Sequence, residues 1–80
     1  MKIKFEKYEL IHFGACKLIF SYGEKQYRFY HYFGNPSQDF IVDEKDNIIN
    51  PSGISAQIMQ KGYNYIFEHY EEIEKERKQK

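Results

Sequence analysis

Residues 25–33 limit the fold more than any other part of the sequence, because bulky side chains alternate between both faces of the strand that they predict. From residue 27 onward the first face carries a ring at every position: Tyr27, Phe29, His31 and Phe33. The second face carries Arg28, Tyr30 and Tyr32. A strand with aromatic side chains on both faces fits the interior of a sheet, where neighbouring strands flank it. We therefore predict that this strand is central.

The neighbouring segments predict the partners of this strand. Residues 16–22 also alternate, and the short Gly-containing turn at residues 23–24 joins them to residues 25–33. Two alternating runs joined in this way are typical of a β-hairpin. Upstream, residues 2–6 alternate and the pattern then changes parity, which predicts either a β-bulge near residues 6–7 or the end of that strand.

The rest of the chain predicts short strands and then a helix. Apolar runs at residues 40–42 and 48–49 predict a fourth strand and either a fifth strand or the approach to the helix. Residues 51 to about 77 are predicted to be helical, because apolar residues recur with helical spacing as far as Ile73; Asn50 is the expected cap and Ser52 the alternative. The core-facing side is predicted to contain Ile58, Met59, Gly62, Ile66, Tyr70 and Ile73. Because Gly costs a helix about 1 kcal/mol relative to Ala, we expect the helix to approach the sheet closely at Gly62.

These elements predict a single α+β domain over residues 1–80, a length that suits one hydrophobic core. An antiparallel β-meander of three to five strands would occupy about residues 1–49. One long C-terminal helix, about residues 51–77, would pack on one face of it. A helix is about 10 Å across and covers one face of such a sheet, so the other face is expected to remain open.

The open sheet face and the flank of the helix are the predicted binding surfaces. Tyr and Arg are enriched at the energetic centres of protein interfaces. The expected contact residues are Ile19, Arg28, Tyr30 and Tyr32 on the sheet, with Tyr63 and Phe67 on the helix. The alternative is that tyrosine tolerates water and that cross-strand rings only stabilise the sheet.

We therefore expect a non-enzymatic module, an inhibitor or adaptor, whose partner is another protein. A homodimer formed through the open face or through an edge strand is a second interpretation. The rival function is binding of single-stranded RNA or DNA by the aromatic and basic residues of strand 25–33. Nucleic acid is the less favoured partner, because the chain carries 12 basic and 12 acidic residues and gains little from counterion release.

No catalytic, metal or cofactor site is predicted. The three histidines lack the spacing of a metal site. Cys16 is expected to be a small buried apolar residue. The acidic residues at 43–46 fit a charged turn better than a calcium loop. His31 is the histidine to follow, because a carboxylate facing it in one pocket would favour an enzyme.

Source and location are inferred from composition. A single cysteine and the absence of an apolar N-terminal run predict a cytoplasmic protein without a membrane segment. The eight Tyr and seven Phe, together with many Lys and Ile, are encoded by A/T-rich codons. That bias indicates a low-GC bacterium, or one of its phages or mobile elements.

Overall fold

The computed structural model describes residues 2–79, which form a five-stranded antiparallel sheet and two helices. The elements in chain order are β1 (Ile3–His12), β2 (Ala15–Tyr22), β3 (Lys25–Tyr32), a short 3-10 helix (Pro36–Gln38), β4 (Phe40–Val42), β5 (Ile48–Ile49), α1 (Ile54–Glu68) and α2 (Tyr70–Lys78). The strands lie side by side in the order β1-β2-β3-β4-β5. The predicted α+β meander is thereby confirmed, with β3 at its centre.

Strand β1 continues through the change of parity because β-bulges absorb the extra residues. The pairing with β2 shifts at Glu6 and again at Ile11. The hydroxyl of Ser21 donates a hydrogen bond of 2.6 Å to the Glu6 carboxylate. The first bulge turns Tyr8 and Leu10 toward the core, where both pack. Of the two predicted outcomes near residues 6–7, the bulge is the one observed.

The core lies between the helices and one face of the sheet. The buried cluster joins sheet and helix side chains: Leu10, Cys16, Leu18, Phe20, Phe29, Ile41, Ile58, Ile66 and Ile73. At its centre the Phe29 ring, which is fully buried, lies directly under Gly62 of α1. A Cβ atom at position 62 would fall 2.7 Å from Phe29 Cε2 and closer still to Cδ2. The predicted close approach at Gly62 is therefore confirmed.

The predicted single helix over residues 51–77 is wrong in its start. Helix α1 begins at Ile54, after Gly53, whose φ of 55° is a left-handed conformation that glycine adopts without strain. The hydroxyl of Ser55 closes the preceding turn by accepting a 2.8 Å hydrogen bond from the Ser52 N–H and donating one to the Ser52 carbonyl oxygen. The turn delays the helix by three residues, so Asn50 does not cap it.

The predicted single helix is also interrupted. His69 separates α1 from α2 with φ −111° and ψ 23°, and its Nδ1 donates to the Tyr65 carbonyl oxygen at 2.9 Å. Hydrogen bonds still cross the break, from the His69 N–H to Tyr65 and from the Ile73 N–H to His69. The helical path therefore bends at His69. Tyr70, predicted in the core, is 58% exposed, whereas Ile73 is buried.

Helix α2 extends to Lys78, close to the predicted end of the helix at about residue 77. Arg77 holds it against the sheet, because Arg77 Nε donates a 2.6 Å hydrogen bond to the carbonyl oxygen of Phe13. The Arg77 guanidinium also lies 4.2 Å from the centre of the Phe33 ring, within range of a cation–π interaction. Neither helix is long and apolar enough to span a bilayer, for the residues that the structure describes.

Candidate functional site

The open face is the side of the sheet that points away from both helices. Because Phe29 and Ile41 face the core, the residues next to them in β3 and β4 point the opposite way. Together with outward residues of β2 and β5, they define the open face: Lys17, Ile19, Arg28, Tyr30, Tyr32, Phe40, Val42 and Ile48. The helices place their apolar side chains against the other side. All four predicted sheet residues of the binding surface thus lie on one face.

The centre of the open face is an aromatic cluster. The Tyr30 and Phe40 rings stack at 4.8 Å with an angle of 17° between their planes. Tyr32 lies 6.2 Å from the same Phe40 ring. All three side chains are half-buried, whereas Ile48 at the edge is 70% exposed. Phe40 was not predicted in this surface, because a strand of three residues is too short for its alternation to assign faces.

The charged residues of this side pair with one another. Lys17 Nζ lies 3.1 Å from a Glu9 carboxylate oxygen, and Lys7 Nζ lies 4.0 Å from the other. The hydrogen bond from Lys17 and its positive charge lower the pKa of Glu9. Arg28 forms an ion pair with Asp46. Three cations near the aromatic cluster therefore already have carboxylate partners.

The turn between β4 and β5 holds Asp46 in place. Asp43 Oδ1 accepts hydrogen bonds from the backbone N–H groups of Lys45 at 2.9 Å and Asn47 at 3.0 Å. The bond from Asn47, followed by the one from Lys45, lowers the pKa of Asp43. Asp46 adopts a left-handed φ of 66°, which aspartate tolerates better than most residues. The acidic segment is thus a charged turn.

A buried polar cluster lies on the covered side, centred on Asp39. Its carboxylate, 2% exposed, accepts hydrogen bonds from the Tyr32 N–H at 2.8 Å and from the Tyr63 hydroxyl at 2.5 Å. His31 Nδ1 lies 2.7 Å from the same carboxylate. Burial and the bond to Asp39 raise the pKa of Tyr63. Nothing in the sequence pattern marks Asp39, which lies in a short loop.

This cluster has elements of a catalytic site, but its side chains are buried. His31 does face a carboxylate, and Cys16 is its partner across β2 and β3. However, Cys16 is fully buried, and burial together with the Asp39 charge raises the pKa of its thiol to about 12. A thiol that stays protonated is a poor nucleophile. Cys16, His31 and Asp39 line none of five surface clefts at the helix bend, the sheet edges and the turns. Among residues 2–79, no three His, Cys, Asp or Glu side chains group as metal ligands.

The two predicted helix residues lie apart from the open face and differ from each other. Tyr63 packs edge-on against Phe29 at 5.0 Å and uses its hydroxyl for Asp39. Phe67 is 82% exposed. It lines a surface cleft at the helix bend with Tyr70, which was not predicted as a contact residue. The structure therefore contains two separate candidate surfaces, the open face and the helix bend.

Comparison with known proteins assigns no family. No family model matches the chain, and neither a curated protein nor a solved structure is significantly similar to it. The functional argument therefore depends on the chemistry of the two surfaces.

Proposed function

We propose that this chain is a non-enzymatic protein-binding module that docks a partner protein through its open face. The observation that supports the proposal is a sheet covered by helices on one side only, with an aromatic cluster on the other. The hydrogen bonds of the described residues leave the hydroxyls of Tyr30 and Tyr32 free of protein partners. The fitting partner therefore presents an apolar surface with hydrogen-bond acceptors at its centre.

The charge pattern favours protein over nucleic acid. Binding of RNA or DNA draws its affinity from cations that are free to contact phosphates. On this side Lys17 and Arg28 are paired with carboxylates, and a carboxylate near each cation repels phosphate. Stacking is limited as well, because Phe29 and His31 of the same strand are buried and Tyr30 already stacks on Phe40.

The edges of the sheet are poorer sites for a partner strand than the open face. Strand β1 contains two bulges and carries both lysines and glutamates. Bulges and charged side chains on an edge strand both disfavour pairing with a strand of another molecule. Strand β5 at the opposite edge has only two residues. These features support docking on the face and weaken the homodimer that forms by edge pairing.

The test compares two variants that each lose two rings from opposite sides of the molecule. Tyr30→Ala with Tyr32→Ala alters the open face, and Phe67→Ala with Tyr70→Ala is the matched control on the helices. Each protein is immobilised after circular dichroism has shown that it is folded, and bound protein and RNA from host lysate are quantified. For the partner of the open face, we expect a stoichiometric protein that binds the wild type and the helix variant equally and binds the open-face variant at least about tenfold more weakly.

Three outcomes contradict this proposal. Capture of RNA that is released by salt would support the nucleic-acid function instead. A concentration-dependent dimer that only the open-face variant abolishes, measured by sedimentation, would identify a second copy as the occupant. Equal capture of the same protein by all three forms would show that the open face is merely solvated.

A further inference from the structure

The helix bend exposes two aromatic rings on one surface. Phe67 lies in the last turn of α1 and Tyr70 begins α2, and they are 82% and 58% exposed. Both line the same cleft. His69 between them also lines the cleft, and its ring stacks on Tyr65 at 4.0 Å while Nδ1 donates a hydrogen bond to the Tyr65 carbonyl oxygen. The conformation of His69 therefore fixes the helix path that leaves the rings outside.

Exposure of these rings lowers stability relative to a buried arrangement. Burial of a phenylalanine side chain stabilises a fold by removing apolar surface from water, and Phe67 gains little of this stabilisation. Single exposed apolar residues are common on protein surfaces. Two neighbouring rings in one cleft are less common, and aromatic side chains in such positions often serve as anchors for a partner.

The same cleft is acidic. Glu68, Glu71 and Glu72 line it beside the two rings. The ion pairs of the described residues involve none of these three carboxylates, and the nearest cations in the sequence are Lys61 and Lys75, the latter four residues after Glu71. Glu68 lies three and four residues from the other two, a spacing at which like charges repel along a helix. Apolar exposure and an excess of negative charge thus coincide in this cleft.

We propose that the surface formed by Phe67, Tyr70 and these three glutamates is a second docking site, for a basic peptide segment of another protein that alternates aliphatic and cationic residues. Aliphatic side chains would cover the rings, and Lys or Arg side chains would pair with the carboxylates and lie over the ring faces. Negative charge makes the site repel nucleic acids and anionic membranes. The site is on the helix layer and does not depend on the open face, so a chain that uses both is a bridging adaptor.

A direct binding measurement tests this site with synthetic peptides. The probe is a 15-residue peptide of alternating Leu and Lys residues, and the control probe carries Gln in place of every Lys. Binding to the ¹⁵N-labelled full chain is followed by NMR, in which we expect shifts centred on residues 66–73 for the Lys peptide. The Gln peptide should bind at least about tenfold more weakly.

Two variants separate the contribution of the rings from that of the charges. Phe67→Ala with Tyr70→Ala keeps all carboxylates, and Glu68→Gln with Glu71→Gln and Glu72→Gln keeps both rings. Each variant should bind the Lys peptide about tenfold more weakly than the wild type does. The open-face variant Tyr30→Ala with Tyr32→Ala should bind it with wild-type affinity. Unchanged affinity of the ring variant, or shifts spread over every acidic residue, would show unspecific charge attraction. That result, or no binding by the wild type, overturns this site and leaves the open-face proposal intact.

Discussion

The two faces of strand β3 show what a covering helix changes. Phe29 and Tyr30 are adjacent in sequence, and both are aromatic. Phe29 is fully buried under Gly62 of α1, whereas Tyr30 is half-buried and stacks on Phe40 across the strand. Side chains on the covered face stabilise the fold by burying apolar surface away from water. Cross-strand ring pairs on the open face stabilise it by a smaller amount. The comparison teaches that the two sides of one sheet contribute unequally to fold stability, a division that the covering helix sets.

The largest expected effect tests this division directly. Phe29→Ala removes a fully buried ring and should lower the free energy of unfolding by about 3–5 kcal/mol. Tyr30→Ala, one residue away, should lower it by about 1 kcal/mol, because only a partly exposed ring pair is lost. Urea denaturation followed by circular dichroism measures both. Equal losses for the two variants would mean that the open face is as much a part of the core as the covered face.

The next effect concerns Asp39, which connects the two faces. Its carboxylate accepts from the His31 and Tyr63 side chains of the covered side, and from the backbone N–H of Tyr32, whose side chain is on the open face. Asp39→Ala leaves these buried donors without an acceptor and should cost about 3 kcal/mol. Tyr63→Phe removes a single donor and should cost about 1 kcal/mol. Urea titrations that gave the two variants equal losses would show that Asp39 has no role beyond its bond to Tyr63.

A smaller effect is expected at Gly62, where the comparison predicts a reversal of the usual helix preference. In an exposed helical position Gly→Ala stabilises by about 1 kcal/mol. At position 62 the added methyl group would overlap the Phe29 ring, so Gly62→Ala should destabilise by about 1–3 kcal/mol. The exposed Gln57→Ala is the control and should be neutral or slightly stabilising.

The smaller side chain in Phe29→Leu should relieve the overlap. In a Phe29→Leu background, Gly62→Ala should therefore lower the free energy of unfolding by less than it does in the wild type. A double-mutant cycle from thermal or urea unfolding measures the difference. Additive losses would show that the methyl group at position 62 contacts something other than Phe29.

The sequence predicts the parts of this fold that depend on periodicity. Alternation in residues 16–33 is long enough to identify the hairpin and its two faces, and a glycine on a helical core face indicates a close approach. The bend at His69 was missed, because it depends on a side-chain hydrogen bond to Tyr65 that no spacing rule encodes. The later start of α1 was missed for a similar reason. The helix was expected to begin at Pro51, directly after Asn50, but the Ser55 hydroxyl bonds to the Ser52 backbone and closes a turn there instead.

The candidate surfaces show the same limit. Arg28, Tyr30 and Tyr32 could be placed on one face from the alternation alone. Phe40 joins them only through strand register, which a three-residue strand cannot reveal. Tyr70 is exposed only because the helix bends, so helical periodicity put it on the wrong side. Local pattern therefore predicts the members of long elements, and tertiary contacts decide the rest.

The smallest expected effect lies at the edge of the open face, in the turn between β4 and β5. Backbone hydrogen bonds hold the pKa of Asp43 below its ordinary value of 3.8, so the folded state binds this proton less readily than the unfolded state. The resulting stabilisation is complete at pH values well above 3.8 and is lost as the pH falls through the lowered folded-state pKa. Asp43→Asn keeps an acceptor oxygen but does not titrate.

The wild type should therefore be more stable than Asp43→Asn at pH 7, and this advantage should shrink between about pH 5 and pH 2. Thermal melts of both proteins across that range measure the difference, and all other titrating groups cancel because the two chains share them. The same turn holds Asp46 against Arg28, so a larger advantage at low salt than at high salt would show that the ion pair depends on it. An advantage that does not vary with pH would mean that the Asp43 charge contributes nothing to the turn. The open face would then owe its shape to the strands alone.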